Sequence, residues 1–148
     1  MDETDAAGTS VSEIMSRQIV AIRSDCELRL ALDAFVRTAL RHLVVVDPDR
    51  TCHGLLSAEQ ALLALGSAPR GPGQAPRLVA DTLTRTPVAE RPRVHRDASV
   101  RDAASVMLDA LVDALPVVDD SGRVVGVVTW SDIVALVAGR HLLGTDRP

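Results

Sequence analysis

Residues 115–132 read LPVVDDSGRVVGVVTWSD. An aliphatic run, 115–118, breaks at a cluster of Asp, Ser and Gly, and a second aliphatic run follows from Val124 to Val128. Two short β-rich runs separated by turn residues predict a pair of strands joined by a tight turn. After the second run comes Thr129-x-x-Asp132, a hydroxyl residue followed three positions later by an acceptor. That spacing predicts a helix start, with the hydroxyl as N-cap and the acceptor reaching back to the N–H of the cap.

The same plan occurs 72 positions earlier, as LVVVDPDRTCHGLLSAEQ over residues 43–60. The register also carries Asp25 onto Asp97, Leu28 onto Val100, Arg29 onto Arg101, Ala31 onto Ala103, Phe35 onto Met107 and Gly54 onto Gly126. Further upstream VSEIMSR (11–17) lies over VADTLTR (79–85) at an offset of 68, so the second copy holds four extra residues within TPVAERPRV (86–94). A register held over so long a span, with one insertion, identifies a duplicated module.

Each copy reads as helix, strand, strand, helix. Apolar residues at Leu28, Ala31, Leu32, Phe35, Val36 and Ala39 form a helical stripe within 27–40. Val100, Ala103, Ala104, Val106, Met107 and Val112 form its counterpart. A further short strand is expected near Ile19–Ile22 and near Val94, and the capped helices are expected to run to about Leu65 and Val137. The expected organisation is a loose N-terminus (1–10), a first repeat (11–66), a Pro/Gly-rich linker (67–78), a second repeat (79–139) and a tail (140–148). The fold class is α/β, or α+β in some schemes. A repeat of this size is marginal by itself, so the two are expected to pack through their sheets about an approximate twofold axis.

On the pattern alone, both hydroxyl-x-x-acceptor motifs are explained as capping boxes. Their context admits a second reading. A glycine in the preceding strand lets another group approach bare backbone, and a helix N-terminus favours anions. A carboxylate one turn in can accept bonds from two vicinal hydroxyls. Gly-h-h-Thr/Ser-x-x-Asp after a strand, duplicated with the VxxIM and VxxTL segments and the LPVVDDSGRVVGVVTWSD block, resembles the CBS-domain family, named for the regulatory domain of cystathionine beta-synthase.

The resemblance implies a tandem CBS pair (a Bateman module) whose clefts hold AMP, ADP, ATP or S-adenosylmethionine as a regulatory ligand, with no tightly bound cofactor. It implies that Asp132 binds ribose hydroxyls while Thr129 and Ser131 approach phosphate. It further implies that the other repeat completes each cleft. Arg41 and His42 would then meet phosphate, and the strand carrying Ile19, Val20 and Ile22 would flank the adenine. On the residues themselves, Arg41 and His42 are equally well read as a solvated helix end opposing the dipole. The first motif is degenerate: Ser57 is present, but Gln60 stands where the aspartate belongs, and its partners would be Asp113 and Ala114. A neutral amide lacks the charge-assisted bonds of a carboxylate. The expectation is therefore one adenosine ligand at the Asp132 motif and a weak or empty Gln60 motif.

Composition narrows the remaining classes. The 148 residues are 47% hydrophobic, carry a net charge of −4, and include Phe35 and Trp130 as their only aromatic rings. That argues against nucleic acid, whose single strands are commonly stacked on aromatic rings. Cys26 and Cys52 form no CxxC pair and read as reduced, half-buried thiols. His42, His53, His95 and His141 lack metal-ligand spacing. The opening MDETDAAGTS is the reverse of a signal peptide, and no apolar run reaches the roughly 18 residues of a membrane helix. A cytoplasmic protein is expected. No activated nucleophile, Walker loop or HExxH is present, so a non-enzymatic regulator of an unknown partner is expected. A ligand-free dimeric interaction module is the alternative. The resemblance implies a homodimer, to which Val134, Leu136, Val137 and Leu142–Leu143 around the last helix add apolar surface, and Trp130 reads as an interface residue between modules or as the lid of a ligand cleft.

Overall fold

The computed structural model describes residues 3–66, 71–83 and 87–140. It contains helices α1 (Glu3–Gly8), α2 (Leu28–Thr38), α3 (Ala58–Leu65), α4 (Val100–Ala110) and α5 (Trp130–Val137). The strands are β1 (Ala21–Arg23), β2 (His42–Val46), β3 (Cys52–Ser57), β4 (Val94–His95), β5 (Ala114–Val118) and β6 (Val124–Thr129). They form two three-stranded sheets, ordered β1-β2-β3 and β4-β5-β6. In each, the first strand runs parallel to the central one and the third antiparallel.

The sequence register is reproduced in the pairing of the sheets. Ile22 faces Val45 and Val94 faces Val117. Gly54 faces Val45 and Gly126 faces Val117. A bulge falls between Val45 and Val46, and another between Val117 and Val118. Core positions correspond as well: Leu43 and Leu115, Leu56 and Val128, Ala31 and Ala103 are all at 0% exposure. Fully burying one such aliphatic side chain contributes about 1.5–3 kcal/mol.

The chain forms two compact units. One spans Val20–Arg91 and contains β1-β2-β3 with α2 and α3 around Leu28, Phe35, Leu43, Val45 and Leu56. The other joins the described residues up to Ile19 with those from Pro92 onward, around Val11, Met15, Met107, Leu115 and Val128. Repeats and structural units therefore do not coincide. The first lead-in pairs with the second sheet: Ser16 and Val127 exchange backbone bonds of 2.9 and 3.0 Å, and the Val11 N–H donates to Ala98 O at 2.9 Å. The second lead-in joins the first sheet's unit, where the Val79 N–H donates to Cys26 O at 2.8 Å and Val79 is buried.

Three local expectations need correction. Of the stretch 1–10, expected as a loose end, the described residues 3–10 contain α1, whose Ala6 is buried in the core of its unit, and Ser10, which caps a 3-10 turn at Val11–Glu13. A short helix holds there because Ala6 has an apolar core to enter. Val36, expected on the buried stripe of α2, is 83% exposed, because α2 buries the narrower set Leu28, Ala31 and Phe35. Leu136, expected on a dimer surface, packs in the core, whereas Val134 and Val137 are exposed. Of the expected linker, residues 67–70 lie outside the described residues, as do Leu142, Leu143 and the rest of 141–148. Cys26 is half-buried and Cys52 buried, both as free thiols.

Candidate functional site

The second motif sits where β6 becomes α5. Thr129 ends the strand in extended conformation (φ −113°, ψ 162°) and caps the helix. Its Oγ1 accepts the Asp132 N–H at 3.2 Å, and Asp132 Oδ2 accepts the Thr129 N–H at 2.9 Å. The first motif is built the same way at the β3–α3 junction. Ser57 Oγ accepts the Gln60 N–H at 3.0 Å, and Gln60 Oε1 accepts the Ser57 N–H at 2.9 Å. Both motifs are therefore capping boxes.

They differ in charge and burial. Asp132 is 3% exposed, while Gln60 is exposed. A buried carboxylate is costly unless it is bonded. Ser131 and Trp130, by contrast, are exposed.

The motif glycines are approached closely, but by the chain itself. A side chain on Gly126 would begin 2.5 Å from Met15 Sδ and 2.8 Å from Ser16 O. One on Gly54 would begin 3.3 Å from Leu83 Cδ1 and from Arg91 Cδ. The lead-in segments thus account for both glycines without a ligand. Beside Met15 the same unit has a shallow hollow of about 320 Å³ lined by Ser12, Met15, Arg17, Arg96, Asp97 and Val125. No motif side chain lines it.

The remaining expected residues divide between the units. Thr129, Ser131, Asp132 and Ile19 belong to one, and Val20, Ile22, Arg41, His42, Ser57 and Gln60 to the other. Within the latter, Arg41 O accepts the Ala58 N–H at 2.9 Å and His42 faces Ser57 across the ladder. Arg41 and His42 therefore stand at the first motif's own helix start. Ile22, expected to flank an adenine, is half-buried and packs on the apolar core of its unit. Asp113 and Ala114 stand in the equivalent places at the start of α5, where Asp113 O accepts the Trp130 N–H and Ala114 faces Thr129.

Sequence reasoning missed a polar cluster in the Val20–Arg91 unit. Asp47 Oδ1 accepts from the Ser24 hydroxyl at 2.7 Å and lies 2.8 Å from His53 Nδ1. His53 Nε2 is buried with no partner. No spacing announces this cluster, because Asp47 and His53 meet across the β2–β3 turn while Ser24 reaches Asp47 from the end of β1. Among the described residues no three His, Cys, Asp or Glu side chains are grouped to hold a metal.

A family model, the CBS domain, matches residues 11–67 and again residues 79–139. The chain belongs to the CBS-domain family. A CBS domain-containing protein of Dictyostelium discoideum is 29% identical over 134 residues, which cover 86% of this chain and 90% of that protein. An uncharacterized protein of Methanocaldococcus jannaschii, MJ1404, is 30% identical over 135 residues, covering 90% of this chain but 29% of the relative. Among solved structures, the CBS domain pair of protein MJ0100, in complex with 5′-methylthioadenosine and S-adenosyl-L-methionine, superposes with a TM-score of 0.72 at 27% identity, covering 88% of this chain and 97% of that one. The cytosolic domain of the magnesium channel MgtE, in complex with ATP, gives 0.68 at 25% identity, covering 86% of this chain and 48% of that one. Two sheets with helices, repeated in tandem, are the architecture of the family's CBS pairs. No described helix is long and apolar enough to cross a membrane.

Proposed function

We propose that this CBS pair is a regulatory module that senses an adenosine-containing ligand, either AMP, ADP, ATP or S-adenosylmethionine, and transmits its binding to a partner protein. The observation that carries the reading is Asp132, a carboxylate held at 3% exposure at a strand-to-helix junction that a neutral cap would serve equally well. Its charge suits two ribose hydroxyls, and the N-terminus of α5, with Thr129 and Ser131, suits a phosphate or carboxylate. The ligands of MJ0100 and MgtE support the adenosine class. Isothermal calorimetry with the four ligands tests it on wild type, Asp132→Ala and Gln60→Ala. The expected result is one site per chain, abolished by the first change and retained in the second. Binding that survives Asp132→Ala overturns the proposal.

A second reading, a homodimer assembled through helix faces, is favoured by exposed apolar side chains that recur in both units. These are Leu62 (62%), Leu63 (69%) and Leu65 (59%) on α3, and Trp130 (60%), Val134 (43%) and Val137 (56%) on α5. Apolar patches of this kind mark contact surfaces. Sedimentation at tens of micromolar is expected to give about twice the 15.7 kDa chain mass, and Leu63→Asp with Val137→Asp to give the monomer. The two readings are compatible, and the calorimetry separates a sensing dimer from a ligand-free one.

A further inference from the structure

The four-residue excess in TPVAERPRV (86–94) has no role in the readings above. The described part of this stretch contains a 3-10 turn, Val88–Glu90, after which Arg91 is extended (φ −69°, ψ 140°). The Arg91 side chain lies over β3. Its Nη1 donates to the His53 carbonyl at 2.6 Å, and its Nη2 donates to the Leu83 carbonyl. Its Cδ is 3.3 Å from where a side chain on Gly54 would begin.

Each acceptor is one that regular structure leaves over. His53 is the residue skipped by the β2–β3 ladder, since Val45 faces Gly54 and Val46 faces Cys52. Leu83 ends the 3-10 helix Val79–Leu83. Skipped residues and helix ends leave backbone groups for others to satisfy. A guanidinium is a rigid fork of donors and can serve two carbonyls at once. In the other unit Met15, the register match of Leu83, covers Gly126 together with the Ser16 carbonyl, and its lead-in has no inserted arginine.

We propose that Arg91 is a latch that closes the first motif, so that the junction at Gly54, Ser57 and Gln60 is held shut by the chain itself. Anything approaching the bare backbone of Gly54 must displace a guanidinium bonded to two carbonyls. The difference between the motifs is then set by the insertion as well as by Gln60. The ligand part of this proposal rests on the sensing reading of Asp132, whereas the latch rests on the contacts of Arg91.

The test uses the full chain as wild type, Arg91→Ala, Arg91→Lys, Gln60→Asp and the Gln60→Asp/Arg91→Ala double variant. Its first readout needs no ligand: hydrogen exchange of amides 53–57 and 79–83. Arg91→Ala is expected to speed exchange there about tenfold or more, the weight of one charge-assisted hydrogen bond in a local opening. Arg91→Lys, which keeps the charge without the fork, is expected to fall between. Unchanged exchange in Arg91→Ala overturns the latch. The second readout is calorimetry with AMP and with S-adenosylmethionine. Gln60→Asp is expected to keep the wild-type number of sites and the double variant to gain one. A new site in Gln60→Asp alone, or none in the folded double variant, overturns the closure. If wild type binds neither probe, the exchange readout alone decides the latch, and the four-ligand calorimetry decides the sensing reading. Should Arg91→Ala fail to fold, Arg91→Lys carries the exchange readout and Gln60→Asp/Arg91→Lys the calorimetric one.

Discussion

Ala39 and Leu111 terminate α2 and α4 in the same left-handed conformation, at φ 56° and 57°. Each N–H closes the helix onto the carbonyl four residues back, Phe35 and Met107. Glycine is the usual residue at such a position, since a Cβ there meets the following carbonyl. Neither residue is buried, and Leu111 is 91% exposed. Arg50 (φ 71°) and Gly122 (φ 82°) repeat the comparison in the hairpin turns, the second copy already carrying glycine. Ala39→Gly, Leu111→Gly and Arg50→Gly are each expected to stabilise the fold by about 0.5–1 kcal/mol, the relieved strain outweighing the added unfolded-state entropy. Urea denaturation midpoints measure it, and a drop in all three would contradict the strain argument.

Gly126 is the opposite case. Its constraint is space, because Ser16 O and Met15 Sδ occupy the position a methyl group needs. Gly126→Ala is expected to cost about 1–3 kcal/mol, the usual penalty of overpacking. The Ser16–Val127 bonds should weaken with it, which amide exchange at Val127 reports. A variant as stable as wild type, with Val127 still protected, would show that the lead-in can shift freely.

Cap and clamp separate at Asp132. Asp132→Asn keeps an oxygen to accept the Thr129 N–H and removes the charge. Stability is expected to change by less than about 1 kcal/mol, as for a retained cap. Affinity for the adenosine ligand is expected to fall about tenfold or more, since bonds to a charged group exceed neutral ones by that margin. Thr129→Ala should show the reverse balance in stability, costing about 0.5–2 kcal/mol. Thermal melts and calorimetry on the same preparations check both.

Asp119 should make the hairpin turn acid-sensitive. The Ser121 hydroxyl, and after it the N–H groups of Arg123 and Ser121 with the charge of Arg96, hold its carboxyl below the ordinary 3.8 against a smaller desolvation effect. A lowered folded pKa means that its contribution to stability is complete above 3.8 and disappears as pH falls through the lower folded value. Carbon-detected NMR titration is expected to place Asp119 below 3.8, and Ser121→Ala to move it upward. A midpoint unmoved by Ser121→Ala would remove the hydroxyl as the main cause.

What the sequence determined by itself was everything carried by short-range periodicity. The 72-residue register specified two equivalent strand-turn-strand units, because strand alternation and turn chemistry are local, whereas strand order and the partners Val45 of Gly54 and Val117 of Gly126 came from the fold. Thr129-x-x-Asp132 and Ser57-x-x-Gln60 were legible as helix starts for the same reason: a capping box closes within four residues. Tertiary structure alone decided which sheet each lead-in joins. VSEIMSR lies beside the second motif, and VADTLTR belongs with the first sheet's unit. Few backbone bonds fix each choice, and no pattern within so short a segment encodes a partner so distant along the chain. The same holds for Ala6 entering a core, for Ile22 turning inward, and for the burial that distinguishes Asp132 from Gln60. The four-residue excess was visible as a number, but its meaning needed the bulge at His53. Only the fold places that bulged carbonyl within reach of the Arg91 guanidinium.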